Sequence, residues 1–242
     1  QATTVGAFAT AGDYATAVGT GAYAGYGSVA MGLVTKATGA ISTALGTNAY
    51  AQGDESIAVG FRATTGTYGT NAIAMGTNAY SGGYNSIAMG GNAAALGDSG
   101  IAIGNTSVAG TYATAVGPFA VAGGYSSVAV GDTANAWGDY SVAMGKNAYA
   151  GGAQAIAIGA NSAAMYQGGI AIGNGAVASG LGATAVGKYA TSYGATSSAF
   201  GKYASATGLS STAIGSFATA ADWNTTAVGS GAFSRFMSTA VG

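Results

Sequence analysis

Residues 86–90 read SIAMG, and close variants recur at residues 28–32 (SVAMG), 56–60 (SIAVG) and 127–131 (SVAVG). Each contains a tetrad made of a small or β-branched residue, Ala, a large apolar residue and Gly. The tetrad closes at eighteen glycines: Gly6, Gly19, Gly32, Gly46, Gly60, Gly76, Gly90, Gly104, Gly117, Gly131, Gly145, Gly159, Gly173, Gly187, Gly201, Gly215, Gly229 and Gly242. They define seventeen intervals, of which twelve span 14 residues, four span 13 and one spans 16. Such a short, fixed period is typical of solenoids. Because no change of composition divides the chain, we predict one repetitive domain of about seventeen coils over residues 1–242.

The order of side chains within the tetrad indicates β-strands. A large apolar residue precedes every closing glycine, and Ala stands two positions before it in every copy except Thr4. Ile, Val, Thr or Ser stands three positions before it. Side chains alternate between the two faces of a strand, so the Ala faces away from its two neighbours. The pattern predicts an all-β fold, a parallel β-roll or β-solenoid with coils of about 14 residues.

A second short strand follows each closing glycine and reads Ala-x-Ala, as in residues 22–24 (AYA), 49–51 (AYA) and 204–206 (ASA). Its middle position accepts Tyr, Lys, Asn and Ser, which predicts a slot that faces solvent, while its small flanks face a narrow interior. Gly-rich turns join the strands, and five of them carry Asp in the same slot: Asp13, Asp54, Asp98, Asp139 and Asp222. Gly and Asp are typical of turns with positive φ and with side-chain bonds to the local backbone.

One row of large apolar side chains does not fit inside such a roll. An Ala-lined lumen is too thin for the residues before the glycines, which are therefore expected to point outward. The row includes Met31, Val59, Met75, Met89, Ile103, Val130, Met144, Ile158 and Ile172. Identical chains packed side by side in parallel would cover it and prevent aggregation. The residues leave open whether two or three chains pack together. They also leave open the opposite assignment, with the large residues inside the roll and Ala at the contact.

The composition excludes several classes of protein and of site. Apolar residues make up 49% of the chain and recur regularly, which argues against disorder, and Gly does not recur every third residue as in collagen. There is no His and no Cys, so we expect no enzyme, no thiolate metal site and no cofactor. A formal net charge of −1 argues against nucleic acid as a partner.

Exposed aromatic and basic residues are the best candidates for recognition of a partner. Tyr23, Tyr50, Tyr80 and Tyr149 share the outward slot of the second strand. Lys188 with Tyr189, and Lys202 with Tyr203, form a small basic and aromatic ladder in successive coils that could touch an anionic polymer. The competing interpretation is that Tyr suits an exposed strand and that Lys deters edge aggregation. The longer coil between Gly60 and Gly76 predicts a protruding loop at residues 65–70.

The SVAMG and SIAVG tetrads are joined by NAYA-type segments at residues 48–51, 78–81 and 147–150. With these segments, essentially the whole chain resembles the YadA-like head repeats (Hep/Hag type) of trimeric autotransporter adhesins. The resemblance implies left-handed β-rolls with three chains packed side by side, on the surface of a Gram-negative bacterium. It also implies a non-enzymatic role in virulence: adhesion to matrix proteins such as collagen, fibronectin or laminin, to cells or to abiotic surfaces. The outer-membrane anchor is expected outside this chain, and this segment is not expected to insert into the membrane.

Two other functions compete with adhesion. A self-associating fibre or shaft subunit would need only rigidity, and the end of the chain on a repeat boundary at Gly242 would suit stacking end to end. Ice binding would need a regular Thr ladder on one exposed face, whereas the outward slot holds Tyr, Lys, Asn, Val and Phe. We therefore rank ice binding last.

Overall fold

The computed structural model describes residues 1–242 and contains thirty-five short strands and no helix. The chain divides into two compact units, Gln1–Ala120 and Val121–Gly242. In both units, strands of three residues alternate along the chain with strands of two residues. In each unit the three-residue strands form one sheet, here named the long-strand sheet, and the two-residue strands form another, the short-strand sheet.

The first unit has the following strands. Its long-strand sheet contains Thr3–Val5, Thr16–Val18, Val29–Met31, Thr43–Leu45, Ile57–Val59, Ile73–Met75, Ile87–Met89, Ile101–Ile103 and Thr114–Val116. Its short-strand sheet contains Thr10–Ala11, Tyr23–Ala24, Lys36–Ala37, Tyr50–Ala51, Thr64–Thr65, Tyr80–Ser81, Ala94–Ala95 and Val108–Ala109.

The second unit follows the same plan. Its long-strand sheet contains Val128–Val130, Val142–Met144, Ile156–Ile158, Ile170–Ile172, Thr184–Val186, Ser198–Phe200, Thr212–Ile214, Thr226–Val228 and Thr239–Val241. Its short-strand sheet contains Val121–Ala122, Asn135–Ala136, Tyr149–Ala150, Ala163–Ala164, Val177–Ala178, Thr191–Ser192, Ser205–Ala206, Thr219–Ala220 and Phe233–Ser234.

Every strand pairs in parallel with the equivalent strand one coil away. In the long-strand sheet Ile87 pairs with Ile73 on one side and with Ile101 on the other. In the short-strand sheet Asn135 pairs with Tyr149. Equivalent coil positions therefore lie beside each other, one rung apart. The prediction of an all-β parallel solenoid with about seventeen coils of about 14 residues is confirmed.

A thin lumen of small side chains runs between the two sheets. The tetrad alanines, such as Ala88 and Ala143, have no exposed surface, and neither do the Ala-x-Ala flanks Ala49 and Ala51. The largest side chains that are fully buried are threonines: Thr35, Thr65 and Thr225. Buried hydroxyls in the lumen mostly donate to nearby carbonyls, as Ser127 Oγ does to the Gly124 oxygen at 2.7 Å. The opposite assignment, with Met or Ile inside the roll, is excluded because the lumen holds nothing larger than Thr.

Two turns complete each coil, and both contain a residue with positive φ. The first turn begins at the closing glycine. Gly90 has φ +135°, and a Cβ added to it would lie 2.5 Å from the Gly104 oxygen of the next coil, so only glycine fits this corner. Two residues later comes a left-handed position, at Asn92 for example (φ 56°). The second turn has an equivalent position, such as Ser99 (φ 52°).

Candidate binding surfaces

The row of large residues that precede the closing glycines lies on the outer face of the long-strand sheet. We name it the apolar stripe, and it contains the predicted residues Met31, Val59, Met75, Met89, Ile103, Val130, Met144, Ile158 and Ile172. Its Met and Ile members are each between 37% and 45% exposed, and its two Val members are half-buried. In the first unit Met75, Met89 and Ile103 are in direct register. In the second unit Val130, Met144, Ile158 and Ile172 are in direct register.

A second apolar row runs beside the stripe on the same outer face. In the first unit it holds Ile57, Ile73, Ile87 and Ile101. In the second unit it holds Val128, Val142, Ile156 and Ile170. Burying a large apolar side chain contributes about 1.5–3 kcal/mol. Exposed apolar faces of this kind are typical of surfaces that interact with other molecules.

The four tyrosines predicted for recognition lie on the outer face of the short-strand sheet, across the lumen from the stripe. Tyr23, Tyr80 and Tyr149 are each between 40% and 43% exposed, and Tyr50 is half-buried. In the first unit they are not adjacent, because Lys36 pairs with both Tyr23 and Tyr50, and Thr64 pairs with both Tyr50 and Tyr80. The structure therefore spaces three of these rings two coils apart.

The basic and aromatic residues of the second unit lie in the first turn, beside the short-strand sheet and not within its outward slot. The rings of Tyr189 and Tyr203 stack, with centroids 5.2 Å apart and an interplanar angle of 19°. Lys188 Nζ lies 5.4 Å from the centroid of Tyr189, and Lys202 Nζ lies 5.4 Å from that of Tyr203. The structure brings these four predicted residues together in one cluster.

Sequence reasoning missed the third member of this stack, Phe217. Its ring lies 5.1 Å from that of Tyr203, with an interplanar angle of 18°. Lys202 Nζ also lies 6.0 Å from the Phe217 centroid. The signal was available, since Phe217 stands 14 residues after Tyr203 at the same position of its coil.

A second set of exposed aromatic side chains lies at the second turn, and its tyrosines were not among the predicted recognition residues. Tyr14 and Tyr26 meet edge to face with ring centroids 6.0 Å apart, and Tyr125 and Tyr140 do the same at 5.7 Å. Trp223 is exposed at the same turn. This set is difficult to recognise in the sequence, because the same second-turn positions hold Ala, Leu and Asp in other coils.

The turn aspartates bond differently from the prediction. Oδ1 atoms of Asp54, Asp98 and Asp139 accept hydrogen bonds from the backbone N–H groups of residues 40, 84 and 125, at 2.8–2.9 Å. Each donor lies one coil away, so the expectation of bonds to the local backbone was wrong. The positive φ belongs to the residue after Asp13, Asp54, Asp98 and Asp139, for example Tyr140, but to the second residue after Asp222, which is Asn224. Asp222 therefore lies one position earlier in the turn than predicted. No three His, Cys, Asp or Glu side chains come together in a group that could hold a metal ion.

The longer coil does carry a protrusion. Its two extra residues fall in the second turn, where Thr67 is exposed and Tyr68 is 86% exposed. The base of the loop is closed by a hydrogen bond from the Gly69 N–H to the Gly66 oxygen at 2.9 Å. The structure thus confines the protrusion predicted at residues 65–70 mainly to these two side chains.

Comparison with known proteins assigns the repeat. A family model described as the YadA head domain repeat (2 copies) matches eleven stretches of the chain. They are residues 37–63, 68–93, 81–107, 95–120, 109–134, 122–148, 136–162, 167–190, 178–204, 192–218 and 206–232. Together they cover well over half of the sequence. No curated protein matches it. No helix in the structure has the length and apolar character needed to span a membrane.

Proposed function

Because the chain belongs to the YadA head domain repeat family, we propose that it is the adhesive head of a trimeric bacterial surface protein, exposed beyond the outer membrane of a Gram-negative cell. This family implies heads of trimeric autotransporter adhesins, which are non-enzymatic. The observation that carries the proposal is the apolar stripe, a half-exposed row repeated at the same position of successive coils. A head made of several chains accounts for such a row, while a single soluble chain does not.

Assembly follows from the position of the stripe. Three chains side by side in parallel, related by cyclic symmetry, bring identical rungs of Met, Ile and Val together about one axis. The second apolar row widens the contact in the coils from Ile57 to Ile101 and from Val128 to Ile170. The short-strand sheets then face outward on all three chains, and their tyrosines stay accessible.

Adhesion follows from the repetition of that outer face. We assign recognition to Tyr23, Tyr50, Tyr80 and Tyr149, since aromatic side chains supply large contact areas at low entropic cost. Each coil makes weak contacts, which three chains and many copies on one cell multiply. The partners are matrix proteins such as collagen, fibronectin or laminin, or the surfaces of cells and materials.

The test is solid-phase binding of the purified chain to collagen, fibronectin, laminin and an abiotic surface. We expect saturable binding to at least one of them, and weaker binding when Tyr50, Tyr80 and Tyr149 are all replaced by Ser. Tyr140→Ser is the control, because it removes an exposed ring from the second turn and not from the short-strand sheet. Equal loss in the control and the triple variant would remove the tyrosines of the short-strand sheet from the proposal. Failure to bind any of these surfaces would contradict the adhesive function itself.

A further inference from the structure

Tyr189, Tyr203 and Phe217 form a stack that is bounded by glycine at both ends, here named the aromatic ladder. All three occupy the left-handed position of the first turn, with φ of 55°, 57° and 60°. The same position is Gly175 in the coil before them and Gly231 in the coil after them. A Cβ on Gly175 would overlap the ring of Tyr189, so the stack leans onto that glycine. At the other end Gly231 has no side chain to pack against Phe217, which is 55% exposed.

The backbone conformation makes these aromatic residues unusual. A bulky side chain at positive φ is disfavoured, and glycine or Asn is the ordinary occupant. This chain uses Asn at the same position in neighbouring coils of the unit, at Asn147 and Asn161, whose side chains bond each other at 3.1 Å. Three successive coils therefore have an aromatic residue at a position where other coils have Asn, which tolerates positive φ better. Phe8 and Phe119 occupy the same left-handed position singly, so the distinguishing feature of the ladder is the stacking of aromatic rings in three successive coils.

Charge gives the ladder a chemical preference. Lys188 and Lys202 place their ammonium groups over the rings, between 5.4 and 6.0 Å from the centroids. Between Tyr140 and Ala221 the sequence contains no Asp or Glu, so neither lysine has a carboxylate partner along this stretch. Lys146, at the same coil position, differs because its Nζ lies 4.0 Å from Asp132 Oδ2. Lys188 and Lys202 thus form a local excess of positive charge on an aromatic wall.

We infer that the aromatic ladder, together with Lys188 and Lys202, binds an anionic polysaccharide, a chain of sugar rings that carries sulfate or carboxylate groups. The lysines pair with the acidic groups, the tyrosine hydroxyls bond to sugar hydroxyls, and the open face of Phe217 takes the apolar face of one sugar ring. Nucleic acid fits less well, since a single strand stacks successive bases on several free ring faces, whereas the faces between Tyr189, Tyr203 and Phe217 already cover one another and leave the outer face of Phe217 for one ring. This site goes beyond the proposed adhesion to matrix proteins and does not depend on it.

The test uses two matched variants of the 242-residue chain and measures affinity for heparin, hyaluronate and single-stranded DNA. K188S/K202S replaces both lysines by Ser, which already occupies the same turn position at Ser216, one coil after Lys202. In Y189N/Y203N/F217N the ladder becomes an Asn column like that of Asn147 and Asn161. Both variants are expected to fold, and the second to melt at an equal or higher temperature. K146S is the control, because it removes a lysine from the same turn slot outside the ladder.

We expect heparin to bind the parent chain, with an affinity that falls as salt concentration rises. Both ladder variants should weaken binding roughly tenfold or more, and K146S by no more than about twofold. Binding of hyaluronate as well as heparin would extend the site to carboxylates, and binding of heparin alone would assign it to sulfates. The inference is overturned if neither polysaccharide binds, if K146S weakens binding as much as the ladder variants, or if DNA binds as tightly with the same dependence on the ladder. Matrix binding is assayed separately, so failure here leaves the adhesive proposal standing.

Discussion

The carboxylate of Asp98 accepts a hydrogen bond from the backbone N–H of Tyr84, 2.9 Å away in the preceding coil. Asp98 thereby ties two rungs together outside the sheets. A hydrogen bond of this type contributes about 0.5–1.5 kcal/mol. We predict that Asp98→Ala lowers the free energy of unfolding by about that amount, while Asp98→Asn, which keeps an acceptor oxygen, changes it less. Thermal melting followed by circular dichroism measures the change, and Asp13→Ala serves as a comparison at another turn aspartate. Equal losses of stability in Asp98→Ala and Asp98→Asn would contradict the prediction.

Two adjacent alanines in one strand test how narrow the lumen is. Ala164 faces the lumen and is fully buried, whereas Ala163 faces outward in the solvent slot. Leu at position 164 has no room, because the lumen holds nothing larger than Thr. We predict that Ala164→Leu destabilises the fold by about 1–3 kcal/mol or prevents folding, and that Ala163→Leu stays within about 0.5 kcal/mol of the parent. Melting temperatures of the two variants decide it, and tolerance of Leu at both positions would show that the lumen can expand.

Two buried serines at the same coil position differ in their bonding. Ser127 Oγ donates to the Gly124 oxygen at 2.7 Å, while the buried Ser141 Oγ has no hydrogen-bond partner. An unpaired buried hydroxyl destabilises a fold, and its removal is neutral or favourable. Ser141→Ala should therefore leave the free energy of unfolding unchanged or raise it, and Ser127→Ala should lower it by about 0.5–1.5 kcal/mol. Denaturation in urea measures both, and the reverse order would contradict the assignment.

Two β-branched residues carry backbone strain in one coil. Val34 and Ile41 have φ of 53° and 55°, in the left-handed region that disfavours such side chains. Asn occupies the same two positions in other coils, at Asn48 and Asn85. We predict that Val34→Asn and Ile41→Asn each stabilise the chain by about 1 kcal/mol, which melting temperatures will show. Leu33→Asn is the control at an exposed neighbour without positive φ, and it should give no such gain.

Particular residues show how far the sequence predicts this fold and its surfaces. The spacing of Gly76, Gly90 and Gly104 gives the coil length, and Tyr or Lys at a single slot identifies the outer face of the short-strand sheet. Alternation alone could not orient the long-strand sheet, because Ile87 and Met89 on one face and Ala88 on the other are all apolar. The volume of the lumen decides that question. The hydrogen bond from the Tyr84 N–H to the Asp98 carboxylate joins residues 14 apart in the sequence, so it can be predicted only once the register of neighbouring coils is known. Phe217 was missed because Ser216, and not Lys, precedes it.

The proposed trimer rests on Met89 and Ile103, which are in register on the apolar stripe. Met89→Asp and Ile103→Asp place charges in the proposed contact, where each is unpaired and desolvated. We predict that either change abolishes assembly. Tyr80→Asp, on the outer face of the short-strand sheet, should leave assembly intact. Light scattering of the three variants gives their masses, and assembly that survives both stripe variants would place the contact elsewhere.

The solution mass of the parent chain tests the central claim most directly. Sedimentation equilibrium or light scattering should give about 68 kDa, which is three copies of the 22.8 kDa chain. The mass should not change with concentration in the micromolar range. A well-folded species of 22.8 kDa, or a series of larger masses that grows with concentration, would contradict the trimeric head.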